Sequence, residues 1–316
     1  MRIAIIDGVN QDIGLKILFP EADYFIESIE VDKTESLNYY NIKLDEDWSK
    51  ITDKNYDYLF VVIALYDAKP STQFFKNDIY LILERVTKII NDNNFKNVSI
   101  FDNYDYDYDP NTIISNEKIN IFFKRNYNKS KTYNKNVVPF PFIMFGEKSI
   151  IEKCDKEIVS KEEYFQEKQP RIFFSGSLFN HEDHEIQYYR NRIKIYLEIY
   201  EYIYNPGHLN YDLFLNEIRN SKFSLDLLGV GDPNKRTFEI LLSGSLIISE
   251  KNDLIWPFEE QFSKETIFKD KNDFVEKVTI LNSSDELYNR CLINQYNIAK
   301  KYLNKNWIRD YIINKI

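Results

Sequence analysis

The stretch from Ser221 to Phe258, SKFSLDLLGVGDPNKRTFEILLSGSLIISEKNDLIWPF, holds the residues best suited to chemistry. An apolar run ends at Leu228, and a loop containing Gly229, Gly231 and Pro233 follows it. Lys235, Arg236 and Thr237 then open a helical pattern, with Glu239 three residues beyond Arg236. Positions i and i+3 share a helix face, so the guanidinium and the carboxylate point the same way. A helix N-terminus presents unpaired N–H groups and the positive end of its dipole, which suits a diphosphate. Arg236 adds a planar fork of donors for phosphate oxygens, and Glu239 can accept hydrogen bonds from ribose hydroxyls. The same residues also permit a plainer reading. Arg236 and Glu239 can form a surface ion pair worth roughly a few tenths of a kcal/mol, Gly231 can serve a turn, and Gly244 can cap a helix.

The other candidates are acids where apolar runs end: Asp7, Asp67 and Asp102. Each has the placement of a general base at a strand end, and each is equally an ordinary turn residue; Asp102 is preferred because an acidic cluster follows it. That cluster alternates, Asp102-Asn103-Tyr104-Asp105-Tyr106-Asp107-Tyr108-Asp109. Alternating carboxylates suit a divalent cation, but the loop lacks the glycine and closing glutamate of an EF-hand; a solvated acidic loop is the simpler expectation. His181-Glu182-Asp183-His184 lacks His-Glu-x-x-His spacing, and His208 is the remaining histidine, so a polar loop at a helix start is expected there. No Gly-x-Ser-x-Gly elbow and no Gly-x-x-x-x-Gly-Lys loop occurs, and no Gly-x-Gly-x-x-Gly follows the first apolar run, which weighs against a dehydrogenase.

These residues must be carried by alternating strands and helices. Ile3–Ile6, Tyr58–Leu65, Val98–Phe101 and Ile119–Phe123 are short apolar runs, the pattern of strands covered on both faces. Phe74–Asn91 places Ile79, Leu83, Val86 and Ile90 at helical spacing, so strand, helix and strand imply a parallel βαβ unit. From Tyr127 to Gln169 the pattern lapses, with Pro139, Pro141 and the charged run Lys161–Lys168; a linker is expected there. Beyond it the alternation resumes: a strand over Arg171–Phe174, a helix over Glu185–Tyr204 ended by Pro206-Gly207, a helix over Tyr211–Arg219, a strand over Phe223–Leu228, a helix over Thr237–Leu242, a strand over Leu246–Ile248, and one or two helices from Leu287 onward. Two α/β domains follow, 1–165 and 166–316. Parallel sheets bind ligands outside the carboxyl ends of their strands, so a cleft between two such sheets is the expected site.

Composition limits the partners. A chain of 316 residues exceeds what one core usually serves. Its net charge of −9 argues against a nucleic-acid partner, and the basic runs Lys124–Arg125 and Lys129–Lys131 read as solvated loop charges. The many tyrosines and phenylalanines, 24 and 23, belong to a general skew with few glycines, and are not taken as binding platforms. Two cysteines, Cys154 and Cys291, exclude a disulfide scaffold. The four-residue run Ile3–Ile6 is too short for a signal peptide, and no window approaches the roughly 18 apolar residues of a membrane span; a cytoplasmic protein is expected.

The segment Ser221-Lys222-Phe223-Ser224-Leu225, a loop from Gly229 to Gly231, Arg236, Glu239, Gly244, Leu246–Ile248 and Pro257-Phe258 resembles the C-terminal signature of exostosin-type and related GT-B glycosyltransferases. Upstream, Phe173-Phe174-Ser175-Gly176-Ser177 followed by Arg190 and Arg192 is similar to the family's strand end and its arginine. The likeness covers roughly residues 170 to 300, and departs where Gly244-Ser245-Leu246-Ile247-Ile248 stands for the family's Gly-Cys-x-Pro-Val. It implies two Rossmann-like domains facing across a cleft, with the terminal helix near Trp307 crossing back to the first. It implies a nucleotide-sugar donor, expected to be a UDP- or GDP-sugar, held by Ser175, Gly176, Ser177, Arg190, Arg192, Gly229, Gly231, Lys235, Arg236, Thr237 and Glu239. The leaving diphosphate would be stabilised by Arg236 and a helix dipole without a metal cofactor, and Asp102 would deprotonate a glycan or small-molecule hydroxyl. Two alternatives stay open: a non-catalytic module that binds a nucleotide or glycan, and a metal-dependent GT-A transferase using Asp105 and Asp107.

Overall fold

The computed structural model describes residues 1–7, 14–26, 44–45, 47–63, 73–102, 109–140, 160–176, 184–199, 203–228, 235–258 and 260–316. In chain order the elements of the first half are β1 (Ile3–Asp7), α1 (Gly14–Leu18), β2 (Asp23–Ile26), β3 (Leu44–Asp45), α2 (Lys50–Asp53), β4 (Tyr58–Ile63), α3 (Gln73–Asp92), β5 (Asn97–Asp102), β6 (Ile121–Lys124) and β7 (Val137–Pro139). The second half continues with α4 (Lys161–Tyr164), β8 (Gln169–Phe173), α5 (His184–Ile199), β9 (Ile203–Tyr204), α6 (Tyr211–Asn220), β10 (Ser221–Asp226), α7 (Lys235–Ser243), β11 (Leu246–Glu250), β12 (Ile267–Phe268), α8 (Lys271–Ser283), α9 (Asp285–Tyr302) and α10 (Lys305–Lys315). The chain divides into two compact units: Met1–Ile151 with Leu254–Pro257 and Lys305–Ile316, and Glu152–Asp253 with Phe258–Asn304.

The first unit is built on a parallel sheet of seven strands in the order β3-β2-β1-β4-β5-β6-β7. Side chains alternate across a strand, and both faces are covered. On one, Val61, Ile63, Ile100 and Phe122 pack with Val86 and Ile90 of α3. On the other, Ile3, Ile5, Phe60, Phe101 and Phe123 pack with Leu15 and Leu18 of α1 and with Ile308 and Ile312 of α10. Arg309 of α10 pairs with Glu21, and its Nη1 donates to the carbonyl of Leu18. The last helix therefore belongs to the first unit, as the sequence likeness implies.

The second unit has a parallel sheet of five strands in the order β12-β11-β10-β8-β9. One face carries Ile172, Phe223, Leu225, Leu246 and Ile248 against α8 and α9 through Phe274, Val278, Cys291 and Leu292. The other carries Phe173 and Ile247 against Leu215 and Ile218 of α6 and Ile240 of α7. The helices begin where side chains cap them: Asn210 accepts from the N–H of Leu213, Asp270 from Asn272 and Asp273, and Ser284 from Leu287.

Several expectations are corrected. The helix expected over Glu185–Tyr204 stops at Ile199, and Ile203–Tyr204 forms the edge strand β9. The expected linker contains β7, which pairs with β6, and the capped helix α4. The second unit begins at Glu152, and Lys305–Ile316 leaves it for the first; the apolar face of α10 finds its partners there.

Gly244 ends α7 with φ of 78°, the left-handed conformation favoured by glycine. A Cβ there would meet the Tyr164 backbone at 2.9 Å. Tyr164 is buried, its hydroxyl donating to the Leu241 carbonyl at 3.0 Å and accepting from Gln295 at 2.8 Å. Gln295 also donates to the Ser245 carbonyl and accepts from the Ile247 N–H, fixing the turn that launches β11. Gly207 has φ of 79° with nothing within 4 Å of its would-be Cβ. Gly244→Ala is expected to cost about 3 kcal/mol, strain plus overpacking, against about 1 kcal/mol for Gly207→Ala. Urea unfolding of both variants checks the difference; equal losses would remove the Tyr164 contact from the account.

Candidate functional site

In the second sheet the chain starts at β8, adds β9 on one side, and then crosses to add β10, β11 and β12 on the other. The order therefore reverses between β8 and β10, and the crevice at the carboxyl ends of those two strands is where such sheets bind ligands. Phe174, Ser175 and Gly176 leave β8 at this point. The Ser175 hydroxyl donates to the Gly207 carbonyl at 2.6 Å, tying the strand end to the turn after β9.

Arg236, the second residue of α7, reaches the same spot. Its Nη2 donates to the Ser175 carbonyl at 2.5 Å, and its guanidinium lies 4.5 Å from the centroid of the Phe174 ring. A Cβ on Gly176 would sit 2.9 Å from that Nη2 and 3.0 Å from the Phe174 ring. A side chain at this position would have to displace the guanidinium end of Arg236. Ser175, Gly176 and Arg236, predicted separately, are brought together at the switch point.

The next residues of α7 turn inward. Thr237 is buried and donates its hydroxyl to Asp226 Oδ2 at 3.0 Å. The Ser249 hydroxyl reaches the same oxygen at 3.4 Å. Burial pushes the Asp226 carboxyl up to about 6, while Arg236 and the two hydroxyls pull the other way. Glu239 is 3% exposed, a buried residue of the helix and not a surface one. Gly244 is the helix cap of the plainer reading.

Arg192 lies elsewhere. It pairs with Glu250 at the carboxyl end of β11, which also accepts from the Leu228 N–H at 3.2 Å and lies 3.5 Å from the Tyr196 hydroxyl. Glu250 follows Ile248 on the face packed by α8 and α9, whereas Asp226 is registered opposite Ser249, on the α6 and α7 side. Arg192 is thus tied to a strand end on the opposite face from Thr237. Ser177, Gly229 and Gly231 lie outside the described residues, as do the side chains of Arg190 and Lys235.

The carboxyl edge of the first sheet also carries acids. Asp7 accepts from the Tyr24 hydroxyl at 2.6 Å, and Asp102 is paired with Lys124 at 2.9 Å, both side chains being fully buried. Asp7 is registered with Val62, and Asp102 with Ile63, so the two acids point to opposite faces of the sheet. Asp67, Asp105 and Asp107 lie outside the described residues. Among the described residues no group of three or more His, Cys, Asp or Glu could hold a metal ion, and no helix is long and apolar enough to cross a membrane.

Asp226 and Glu250 were not singled out from the sequence, although the signal was available. Both close an apolar strand run, as Asp7 and Asp102 do.

Two parallel, doubly covered sheets, the second reversing its strand order, are the architecture of the GT-B fold, and the comparisons bear this out. The chain is similar over 100% of its length to 99% of the β-glucosyltransferase of phage T4 in complex with UDP-glucose, at 14% identity and a TM-score of 0.55. It is likewise similar over 99% of its length to 98% of HepE from Anabaena in complex with UDP and glucose, at 10% identity and a TM-score of 0.53. Residues 177–311 match the family described as glycosyl transferase-like. No curated protein matches the chain in sequence. With a GT-B fold, the single-domain GT-A alternative through Asp105 and Asp107 is set aside.

The buried Lys124–Asp102 pair yields a stability test. Lys124→Met would strand a buried carboxylate and is expected to cost about 3–5 kcal/mol, most of it recovered when Asp102→Leu is added. Chemical denaturation of the two variants checks this; no recovery in the double variant would mean that Lys124 serves packing rather than charge.

Proposed function

We propose that this chain is a glycosyltransferase that moves a sugar from a uridine diphosphate donor to a hydroxyl of a glycan or small molecule. The observation that carries the reading is Arg236, lodged against Ser175 and Gly176 at the reversal of strand order. Support comes from the glycosyl transferase-like match over residues 177–311 and from UDP-glucose in the similar phage T4 enzyme. The order of Phe223, Arg236, Gly244 and Pro257-Phe258 supports the finer exostosin-like assignment.

In this reading the donor diphosphate lies at the start of α7. As the anomeric carbon–oxygen bond breaks, negative charge gathers on the leaving diphosphate, where Arg236 and the helix N-terminus stabilise it. Glu239 would serve the nucleoside, and Gly229, Gly231, Lys235, Ser177 and Arg190 complete the proposed cradle. Arg192 acts here through Glu250, which holds the Leu228 N–H at the start of the loop. The acceptor proton goes to a carboxylate at the edge of the first sheet. Asp102 is our choice, paired with Lys124, and its burial requires that edge to open to the acceptor. We propose that no metal takes part and that the acceptor is not DNA, given the net charge of −9; the phage T4 neighbour is described as a DNA modifying enzyme.

The test begins with thermal shift and calorimetry against UDP, GDP and NAD, with and without EDTA, since a ligand selective for the folded state raises its stability. UDP is expected to bind without metal, and Arg236→Ala to weaken it by roughly 30- to 100-fold. Unchanged affinity in that variant would sink the reading, and a shift with NAD alone would replace it. UDP-glucose turnover with a hydroxyl acceptor separates an enzyme from a silent binding module. In that assay Asp102→Asn is expected to lower turnover by about 100-fold or more with donor affinity kept; full activity would move the base to Asp7.

A further inference from the structure

A buried carboxyl stands beside the proposed diphosphate cradle with one oxygen unspoken for. Asp226 is 7% exposed, and its Oδ2 takes both hydroxyls, from Thr237 at 3.0 Å and Ser249 at 3.4 Å. Among the described residues its buried Oδ1 has no hydrogen-bond partner. Such an oxygen is costly to keep charged, and what offsets the cost is the positive charge of Arg236.

We propose that Asp226 is a positioning residue for the donor diphosphate, ionised and balancing Arg236 in the empty site and taking up one proton from solvent when phosphate oxygens engage that guanidinium. The inference rests on the donor-site reading above. An anion drawing on Arg236 withdraws the charge that keeps Asp226 ionised, so the carboxyl must either remain as an uncompensated buried anion or be neutralised. The hydroxyl bonds suit both forms. With Thr237 and Ser249 both on Oδ2, the proton has Oδ1 as its seat, and neither hydroxyl has to turn.

Among the described residues no other charge is placed to do this. Thr237 of α7 and Ser249 of β11 are neutral. Glu250, beside Ser249, faces the other side of the sheet with Arg192 and Tyr196. Glu239 lies two residues beyond Thr237, turned about 200° around the helix. Arg236 is the charged side chain that acts on the carboxyl. Burial already raises this group to about 6, within reach of neutral pH, so a modest further rise on binding takes up a proton there. The sign follows by linkage. A group whose pKa is higher in the bound than in the free protein makes binding tighter as pH falls.

The probe is UDP-glucose, whose diphosphate carries no group that titrates between about pH 5 and about pH 8. Its affinity for the wild-type chain is expected to rise as pH falls across that range, by up to about tenfold for each unit by which the bound carboxyl exceeds the free one. Asp226→Asn, neutral throughout, is expected to give a flat profile that matches the tight, low-pH limit of the wild type. Parallel profiles for the two proteins overturn the proposal. Where Asp226→Asn does not fold, calorimetry of the wild type near neutral pH in two buffers of different ionisation enthalpy decides: net proton uptake supports the proposal, and none or release overturns it. Arg236→Ala separates the two levels of inference. Unchanged UDP-glucose affinity in that variant defeats the donor site itself, whereas lost affinity with parallel Asp226 profiles defeats this proposal alone.

Discussion

A parallel strand covered on both faces has nowhere along its length to put a charge. Desolvating an unpaired ion costs several kcal/mol, so acidic groups collect where the strands end. Among the described residues four strands close on a buried acid: Asp7, Asp102, Asp226 and Glu250. Each is met differently: by a tyrosine hydroxyl, by a lysine, by two hydroxyls with a nearby arginine, and by an arginine with a backbone N–H. The rest of the site follows from those matches. Thr237 fixes the first turn of α7 because Asp226 needs its hydroxyl, and that turn delivers Arg236 to the end of β8. Glu250 likewise commits Arg192 and the backbone of Leu228.

Those matches also decide what could be read before folding. The long apolar runs Ile3–Asp7, Tyr58–Ile63 and Asn97–Asp102 announce buried strands, and the spacing of Val86 and Ile90 announces the helix that covers them. Strands of two to four residues such as Asp23–Ile26, Ile203–Tyr204 and Ile267–Phe268 are too short for a period to register. They exist because a neighbouring strand offers its backbone, and β9 was therefore absorbed into the preceding helix. The cradle was half legible. Arg236, Ser175 and Gly176 were each visible as suitable types, yet the bond that unites them spans 61 positions. Arg192 shows the converse: a guanidinium suits phosphate, but its partner is a carboxylate 58 positions along the chain. Side-chain type reveals what a group can do, and only tertiary contacts reveal what it is already doing.

The fold survives at 14% identity to the phage T4 enzyme for a related reason. What the architecture asks for is β-branched and aromatic residues in strands, small residues where backbone and side chain approach, and caps at helix starts. Many sequences meet those demands. Gly244 is the exacting position here, since it leaves room for the backbone of Tyr164.

The last helix has a temporal meaning as well as a structural one. One face of the first sheet is completed by Ile308 and Ile312, and its second unit-spanning return, Leu254–Pro257, also comes late in the chain. A polypeptide made from its N-terminus exposes Phe60, Phe101 and Phe123 long before those residues have been synthesised. The second unit, by contrast, has all its own segments by Asn304. Domains tend to fold as units in order of emergence, yet the first unit here needs residues that follow the second unit's last segment. The half encoded first is thus the half whose last segment is made last.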